Sequence, residues 1–289
     1  MPEGHTLRRL ANQITAVFGG REVRVGSPQG RFAAGAALLD CTRLTGGDAW
    51  GKHLFLSFDH EQLVHVHLGL YGTFDVHDQG DQPVPVPVGQ VRLRIATGSV
   101  GGGDSAYADL RGPTACALVT MAERDVLLAR IGPDPLRAEA DPARAWRRIQ
   151  RSSAPIGTLL MDQSVLAGVG NVYRAEVLFR QRIHPLRPGR TLRVSQWQAI
   201  WDDLVVLMSQ GVVTGRIDTV RPEHMPEAMQ RPARIDDHGG EVYVYRRGAM
   251  PCHVCGRPVR SEVLAGRNLF WCSRCQPVFR SRAGVGRPG

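Results

Sequence analysis

The window PCHVCGRPVRSEVLAGRNLFWCSRCQ, residues 251–276, constrains this chain more than any other stretch. Cys252 and Cys255 form one C-x2-C pair and Cys272 and Cys275 a second, with sixteen residues between the pairs. Each pair makes a tight knuckle that presents two thiolates, and a hairpin of this length returns the second knuckle to the first. Four thiolates so spaced are the ligand set of a closed, structural zinc site. The alternative for the same residues is a pair of disulfides. His253 lies inside the first knuckle and reads as a bystander, since four sulfur ligands already complete the set. Cys41 and Cys116 stand alone and read as small buried apolar residues of a reducing compartment.

A chain of 289 residues exceeds one ordinary domain, so two or three are expected, and 43% hydrophobic residues suffice to build their cores. No apolar run approaches the roughly 18 residues of a membrane span, and no charged leader precedes an apolar stretch. The expected location is therefore the cytoplasm, with no membrane association. Net charge is +9. The 36 basic residues comprise one lysine, Lys52, and 35 arginines. Such an excess suits a nucleic-acid partner, reached through phosphate contacts and counterion release.

The N-terminal stretch MPEGHTLRRLANQITAVFGG places Leu7, Leu10, Ala11, Ile14, Val17 and Phe18 on one helical face, stopped by Gly19-Gly20. Pro2 and Glu3 ahead of it suit a first helical turn, where Pro lacks no needed donor and Glu complements the dipole. HLFLSF, QLVHVHL and QVRLRIAT then alternate as half-buried strands do, and the proline-rich residues 78–90 read as an exposed loop. Residues 1–130 are expected to form a β-sandwich with a helix at each end. Residues 131–142, IGPDPLRAEADP, read as an interdomain linker. A helical domain is expected over 143–240, with a long helix carrying Trp197, Ile200, Trp201, Leu204, Leu207 and Met208, capped by Ser195, and a polar loop after residue 211. The cysteine hairpin occupies 242–276, and 277–289 read as a disordered tail. The fold class is α+β and multidomain.

Within the helical part, Ala167-Gly168-Val169-Gly170-Asn171 interrupts two helical segments. A glycine-rich turn feeding a helix N-terminus presents backbone N–H groups to an anion, and Asn171 can cap that helix or touch the anion.

Four features occur here in order: an N-terminal Pro-Glu, the hairpin lysine of WGKHLFLSF, the GVGNVYRAE helix–two-turn–helix, and the four-cysteine finger. Together they resemble the bacterial formamidopyrimidine-DNA glycosylase and endonuclease VIII family, nearest its actinobacterial endonuclease VIII-like branch, over the chain up to about residue 276. The resemblance implies a bifunctional DNA glycosylase and AP lyase of base excision repair. It would act on damaged DNA as a monomer, at the nucleoid, with one structural Zn2+ and no small-molecule cofactor. Once Met1 is removed, Pro2 would present a secondary amine. An α-amine titrates near 8 against about 10.4 for a lysine, so more of it is nucleophilic at neutral pH. Attack on the sugar C1′ would give an iminium that drives β- and then δ-elimination. Glu3 would act on the sugar ring oxygen, Lys52 would hold a phosphate and donate a proton in the first elimination, and Arg267 would bind the phosphates flanking the lesion and serve the second. Retention of a single lysine at this motif position fits that role, because a guanidinium does not release a proton at working pH.

By the same resemblance Leu70 and Tyr71 would wedge into the duplex, Arg111 and Asn171 would bind DNA, and Glu176 would be a carboxylate of the active site. The purine-directed branch carries an Asp-Pro-Arg-Arg-Phe run, whereas this chain has Asp109-Leu110-Arg111-Gly112-Pro113. With the PEGHT start and the LYG turn, this departure leans toward oxidised pyrimidines. The alternatives are the purine-directed enzyme and a non-catalytic zinc-finger DNA-binding protein.

Overall fold

The computed structural model describes residues 2–98, 105–235 and 240–279. Residues 280–289, most of the expected disordered tail, lie outside the described residues. The chain divides into two compact units, residues 1–137 with Val212–Gly215, and residues 138–211 with 216–289.

In the first unit the N-terminal stripe forms α1 (Gly4–Phe18), burying Leu7, Leu10, Ala11, Ile14 and Phe18. It is followed by β1 (Arg21–Gly26), α2 (Ala33–Leu39), β2 (Thr42–Trp50), β3 (His53–Phe58), β4 (Leu63–His67), β5 (Thr73–Gly80), β6 (Val91–Thr97), β7 (Ser105–Arg111), β8 (Ala115–Val119) and α3 (Met121–Arg130). The eight strands hydrogen-bond in the order β5-β7-β6-β1-β2-β3-β4-β8, each described pair antiparallel. The two expected layers are thus continuous through β1. Its residues Arg21 to Val23 pair with β2, while Arg24 to Gly26 pair with β6. Strands that pass from one layer to the next in this way make the corners of folded sheets. One core, with Leu54, Leu56, Val64 and Val66 from one half and Leu93, Ile95, Ala108 and Leu110 from the other, closes over α1.

Two sequence expectations change here. Residues 131–135 are buried, and the first unit runs to Arg137, so only 138–142 of the proline-rich segment lie beyond it. Cys41 is exposed, at φ 60° between α2 and β2, instead of buried. Cys116 is half-buried, and burial pushes its thiol up to about 12.

The second unit contains α4 (Pro142–Ile149), α5 (Ile156–Leu159), α6 (Asn171–Arg180), α7 (Val194–Thr214, whose last residues belong to the first unit), α8 (Pro226–Met229) and the hairpin β9 (Arg260–Leu264) and β10 (Arg267–Trp271). α7 begins at Val194, one residue ahead of the expected Ser195 cap, and buries the tryptophan stripe. Part of the stretch expected as a loop is helical, with α7 running to Thr214 and α8 beyond it. The β9–β10 turn is Ala265-Gly266, with φ of 48° and 72°. Two consecutive positive φ values identify a type I′ hairpin turn, whose twist matches that of the strands. No helix among the described residues is long and apolar enough to cross a membrane.

Candidate active site and nucleic-acid interface

Pro2 sits immediately ahead of α1, and Glu3 is the N-cap residue of that helix, fully buried, its carbonyl accepting from Thr6 N at 2.9 Å. The apolar face of α1 is anchored in the core, and this fixes its N-cap residue Glu3. Beside it lies a cavity of about 310 Å3, lined by Pro2, His5, Thr6, Arg9, Gln13 and Asp75, with Leu68 and Gly72 on the same wall. Leu68 and Gly72 are the ends of the turn that carries Leu70 and Tyr71. Gly72 N donates to Leu68 O at 3.0 Å, and Gly69 takes φ 69°. A side chain at Gly69 would strike Thr114, and one at Gly72 would strike the Leu68 carbonyl, so these glycines set the turn. It presents Tyr71 at 89% exposure and Leu70 at 40%. The turn thus carries two adjacent exposed side chains with apolar surface.

Lys52 occupies the second position of the two-residue turn joining β2 to β3, after Gly51 at φ 57°. Glycine at positive φ in that first position is the signature of a type II′ turn. Three histidines neighbour it on one face of β3 and β4. His53 Nδ1 lies 2.9 Å from His65 Nε2 with the rings stacked, and His67 meets His53 edge-on. Burial, then repulsion between its protonated form and those of His65, His67 and Lys52, pushes His53 down to about 3, and burial with His67 lowers His65 to about 4. His5, in the cavity wall, is lowered to about 4, chiefly by burial. All three are therefore neutral at neutral pH.

Arg111, expected at the DNA, is engaged within the first unit. Its guanidinium donates to Asp109 at 2.8 Å and to Asp75 and the Val88 carbonyl at 3.4 and 3.3 Å. Asp109 is buried and also accepts both arms of Arg94. That ion cluster pins the end of β7.

In the second unit, Asn171 stands at the first position of α6, where Gly170 is the N-cap and no side chain caps the helix. Its Nδ2 instead donates to the Asn268 carbonyl at 3.0 Å, as does Arg174 Nη2, whose guanidinium also holds the Asn171 oxygen. The turn before it is braced by Gln163, which accepts from Gly168 N and donates to the Val169 carbonyl. Arg267, the first residue of β10 and the neighbour of Asn268, is thereby fixed relative to the glycine turn.

Glu176 requires a correction. It is fully buried, and its carboxylate accepts Thr219 Oγ1 and Tyr243 N at 2.6 and 2.7 Å on one oxygen, and Val244 N and Tyr245 N at 2.8 Å each on the other. These four bonds all lie within the second unit, where the carboxylate anchors α6 to residues 219 and 243–245.

The four cysteine sulfurs lie within 4.8 Å of one another, with Cys252–Cys275 at 3.9 Å and Cys255–Cys272 at 3.4 Å. A tetrahedral ion with bonds of about 2.3 Å to sulfur places its ligands about 3.8 Å apart, whereas a disulfide needs about 2.05 Å. The donor set fits a metal ion, and disulfides do not form. His253 stays outside the cluster, its Nδ1 3.4 Å from Arg247. Sequence reasoning missed Gln276, which is buried, accepts Cys272 N and donates to the Ile183 carbonyl at 2.9 Å, tying the second knuckle to the helical part.

Family models match this chain in three consecutive blocks: the formamidopyrimidine-DNA glycosylase N-terminal domain over residues 1–116, its H2TH domain over 131–221, and the zinc finger found in FPG and IleRS over 251–278. The chain belongs to the Fpg/Nei family. Enzymes of this family are DNA glycosylases of base excision repair with AP lyase activity, and this chain is one of them. Endonuclease 8 1 of Mycobacterium tuberculosis is 50% identical over 277 residues, spanning 96% of this chain and 100% of that one. A formamidopyrimidine-DNA glycosylase of Methylococcus capsulatus is 31% identical over 290 residues, covering 96% and 98%. The fold matches that of Lactococcus lactis Fpg in complex with an abasic-site DNA, at a TM-score of 0.75 and 18% identity over 96% of this chain and 100% of that one.

Two predictions follow from the buried polar groups. Glu176→Ala strands four donors at a cost of about 1–3 kcal/mol each where they stay buried, so a loss on the order of 4 kcal/mol is expected in urea unfolding of the second unit. An unchanged midpoint would sink the anchoring role. The histidines bear on pH. Their folded values lie below the unfolded 6.5, so the unfolded state binds more protons between pH 6.5 and about 4, and stability falls as pH falls through that window. Each contributes a slope of at most about 1.4 kcal/mol per pH unit. His65→Gln should flatten the profile, measured by thermal melts across the window.

Proposed function

We propose that the chain excises oxidised bases, pyrimidines in preference to purines, through an iminium formed by Pro2, followed by β- and δ-elimination. The observation that carries this is the cavity with Pro2 on its wall and the ends of the Leu70–Tyr71 turn beside it. A wedge that fills the duplex where a nucleotide has left belongs next to the place that receives the nucleotide.

With Met1 removed, the Pro2 nitrogen attacks C1′, the C1′–N glycosidic bond breaks, and the base departs with a proton. Glu3, the next residue, protonates the ring oxygen as the sugar opens. The nitrogen now forms a cationic iminium, since a secondary amine has no second proton to lose. The iminium draws electrons from C2′, whose proton is removed, and the C3′–O bond breaks to release the 3′ phosphate. Lys52 holds the phosphate and supplies the proton of this step. The second elimination breaks the C5′–O bond, with Arg267 on the flanking phosphates, and leaves a one-nucleotide gap. Arg267 suits bidentate phosphate binding through its planar fork, and Asn171 with the glycine turn grips the same backbone.

The preference for pyrimidines is supported by the run Asp109-Leu110-Arg111-Gly112-Pro113, in which the gap-filling phenylalanine of the purine branch is missing, and by the relative named Endonuclease 8 1. The purine-directed reading draws on the relatives named formamidopyrimidine-DNA glycosylase, at 31% identity. The chain acts as a monomer on damaged duplex DNA. One Zn2+ on Cys252, Cys255, Cys272 and Cys275 orders the finger and takes no part in the chemistry.

Borohydride trapping on duplexes carrying dihydrouracil, 8-oxoguanine opposite cytosine, or an abasic site tests the reading. Covalent adducts are expected with dihydrouracil and the abasic site and none with Pro2→Ala. Stronger trapping on 8-oxoguanine would assign the purine branch, and adducts surviving in Pro2→Ala would refute the proline iminium. For the metal, elemental analysis should find one zinc per chain. Its removal, or Cys272→Ala, should weaken binding to abasic-site DNA at least about tenfold, as expected when a site that folds its own domain is lost. Full affinity without zinc would contradict the structural role.

A further inference from the structure

We propose that Asp134 is a positioning residue for Lys52, an inference that rests on the reading of Lys52 given above. The turn that carries Lys52 has only two residues, and its other member is a glycine at positive φ, the least restrained residue a turn can hold. Its rigidity must come from outside the hairpin, and the structure shows where.

Asp134 belongs to the proline-rich segment after α3 and is 1% exposed. Its Oδ2 accepts Gly51 N at 2.7 Å, and its Oδ1 accepts Leu136 N at 2.9 Å, so the carboxylate is itself fixed by the turn it sits in. A buried ionised acceptor makes a shorter and stronger bond to a backbone N–H than a neutral one does. The stem below the turn is clamped as well. Arg137 donates to both oxygens of Asp48 at 2.9 Å and lies over the Trp50 ring at 4.6 Å. Arg8 of α1 donates to Asp48 at 2.6 Å and to the Ala49 carbonyl. Asp48, Ala49, Trp50 and Gly51 are consecutive, and each is held by a group from another part of the first unit. Lys52 is the next residue. Because Arg8 lies on the helix that begins beside Pro2, one clamp references both the amine and the lysine to α1.

A buried carboxylate is costly to desolvate, and burial pushes that of Asp134 above the usual carboxylate range despite its two N–H partners. Holding a lysine-bearing turn at a fixed place is a use that repays the cost.

The test is single-turnover cleavage of an abasic-site duplex by the full chain. The proteins compared are wild type, Asp134→Asn, Lys52→Ala and the double variant, each followed by borohydride trapping and thermal melting. Asp134→Asn is nearly isosteric but turns an amide donor toward one of the two N–H groups. It should slow β-elimination at least about tenfold, the scale of a small misplacement of a catalytic group, with iminium trapping within about twofold of wild type. In the Lys52→Ala background it should slow elimination no further than about twofold, the non-additivity of two residues acting through one group. Wild-type elimination in Asp134→Asn, equal loss of trapping and elimination, or additive losses would each overturn the proposal. Lys52→Ala that eliminates at the wild-type rate removes the reading of Lys52 and this inference with it. Slow Lys52→Ala beside fast Asp134→Asn removes this inference alone. Should Asp134→Asn not fold, Arg137→Ala loosens the same stem and must show the same split between trapping and elimination.

Discussion

The second unit is organised around one carboxylate. Glu176 projects from the middle of α6 and accepts four hydrogen bonds, from the Thr219 hydroxyl and from three consecutive backbone amides at 243–245. Those amides belong to no helix or strand, so without Glu176 they would be buried and unpaired. The stretch they lie in leads directly to the first cysteine knuckle, where Arg247 takes over, bonding the carbonyls of Tyr243 and Pro251. From α6 the order passes in the other direction through Asn171 and Arg174 to Asn268 in the finger hairpin. One helix thus fixes both approaches to the cysteine cluster, and Gln276 fixes its far side.

The first unit follows the same logic with different residues. Its strands supply apolar burial, while the turns that carry Lys52, Leu70 and Tyr71 are tied by polar bonds. Each holds a glycine at positive φ, Gly51 in one and Gly69 in the other, whose N–H is taken by a side chain. Asp134 serves Gly51, and His67 Nδ1 accepts Gly69 N while bonding Thr114. These backbone donors are spoken for even where the side chains of the turn, Leu70 and Tyr71, face solvent.

What could be read from the sequence was whatever has a local signature. The stripe of α1, the alternation of β3, β4 and β6, the glycines around Leu70 and Tyr71, and the paired cysteines all declare themselves within a few residues. The misreadings share one cause. Residues 131–137 look like a linker because proline and charge dominate them, yet Asp134 is buried by a partner 83 positions away. Glu176 looks like one more helix glutamate, or by resemblance an active-site group, and its partners lie at 219 and 243–245. Arg111 gives no sign in the sequence of its bonds to Asp109 and Asp75. Long-range polar pairing has no period and no motif, so it becomes visible only in three dimensions. The same holds for β1, where nothing in Arg-Glu-Val-Arg-Val-Gly tells that one strand serves two halves of a sheet.

Four residues from late in the chain belong to the first unit. Val212–Gly215 return to it, and Arg9 of α1 donates to the carbonyls of Val212 and Val213. During synthesis, then, the unit that begins at residue 1 stays incomplete until residue 215 has left the ribosome, by which time α4, α5 and α6 are already available to fold. Helix α1 is among the first segments made, yet the carbonyls that Arg9 bonds are supplied only some two hundred residues later.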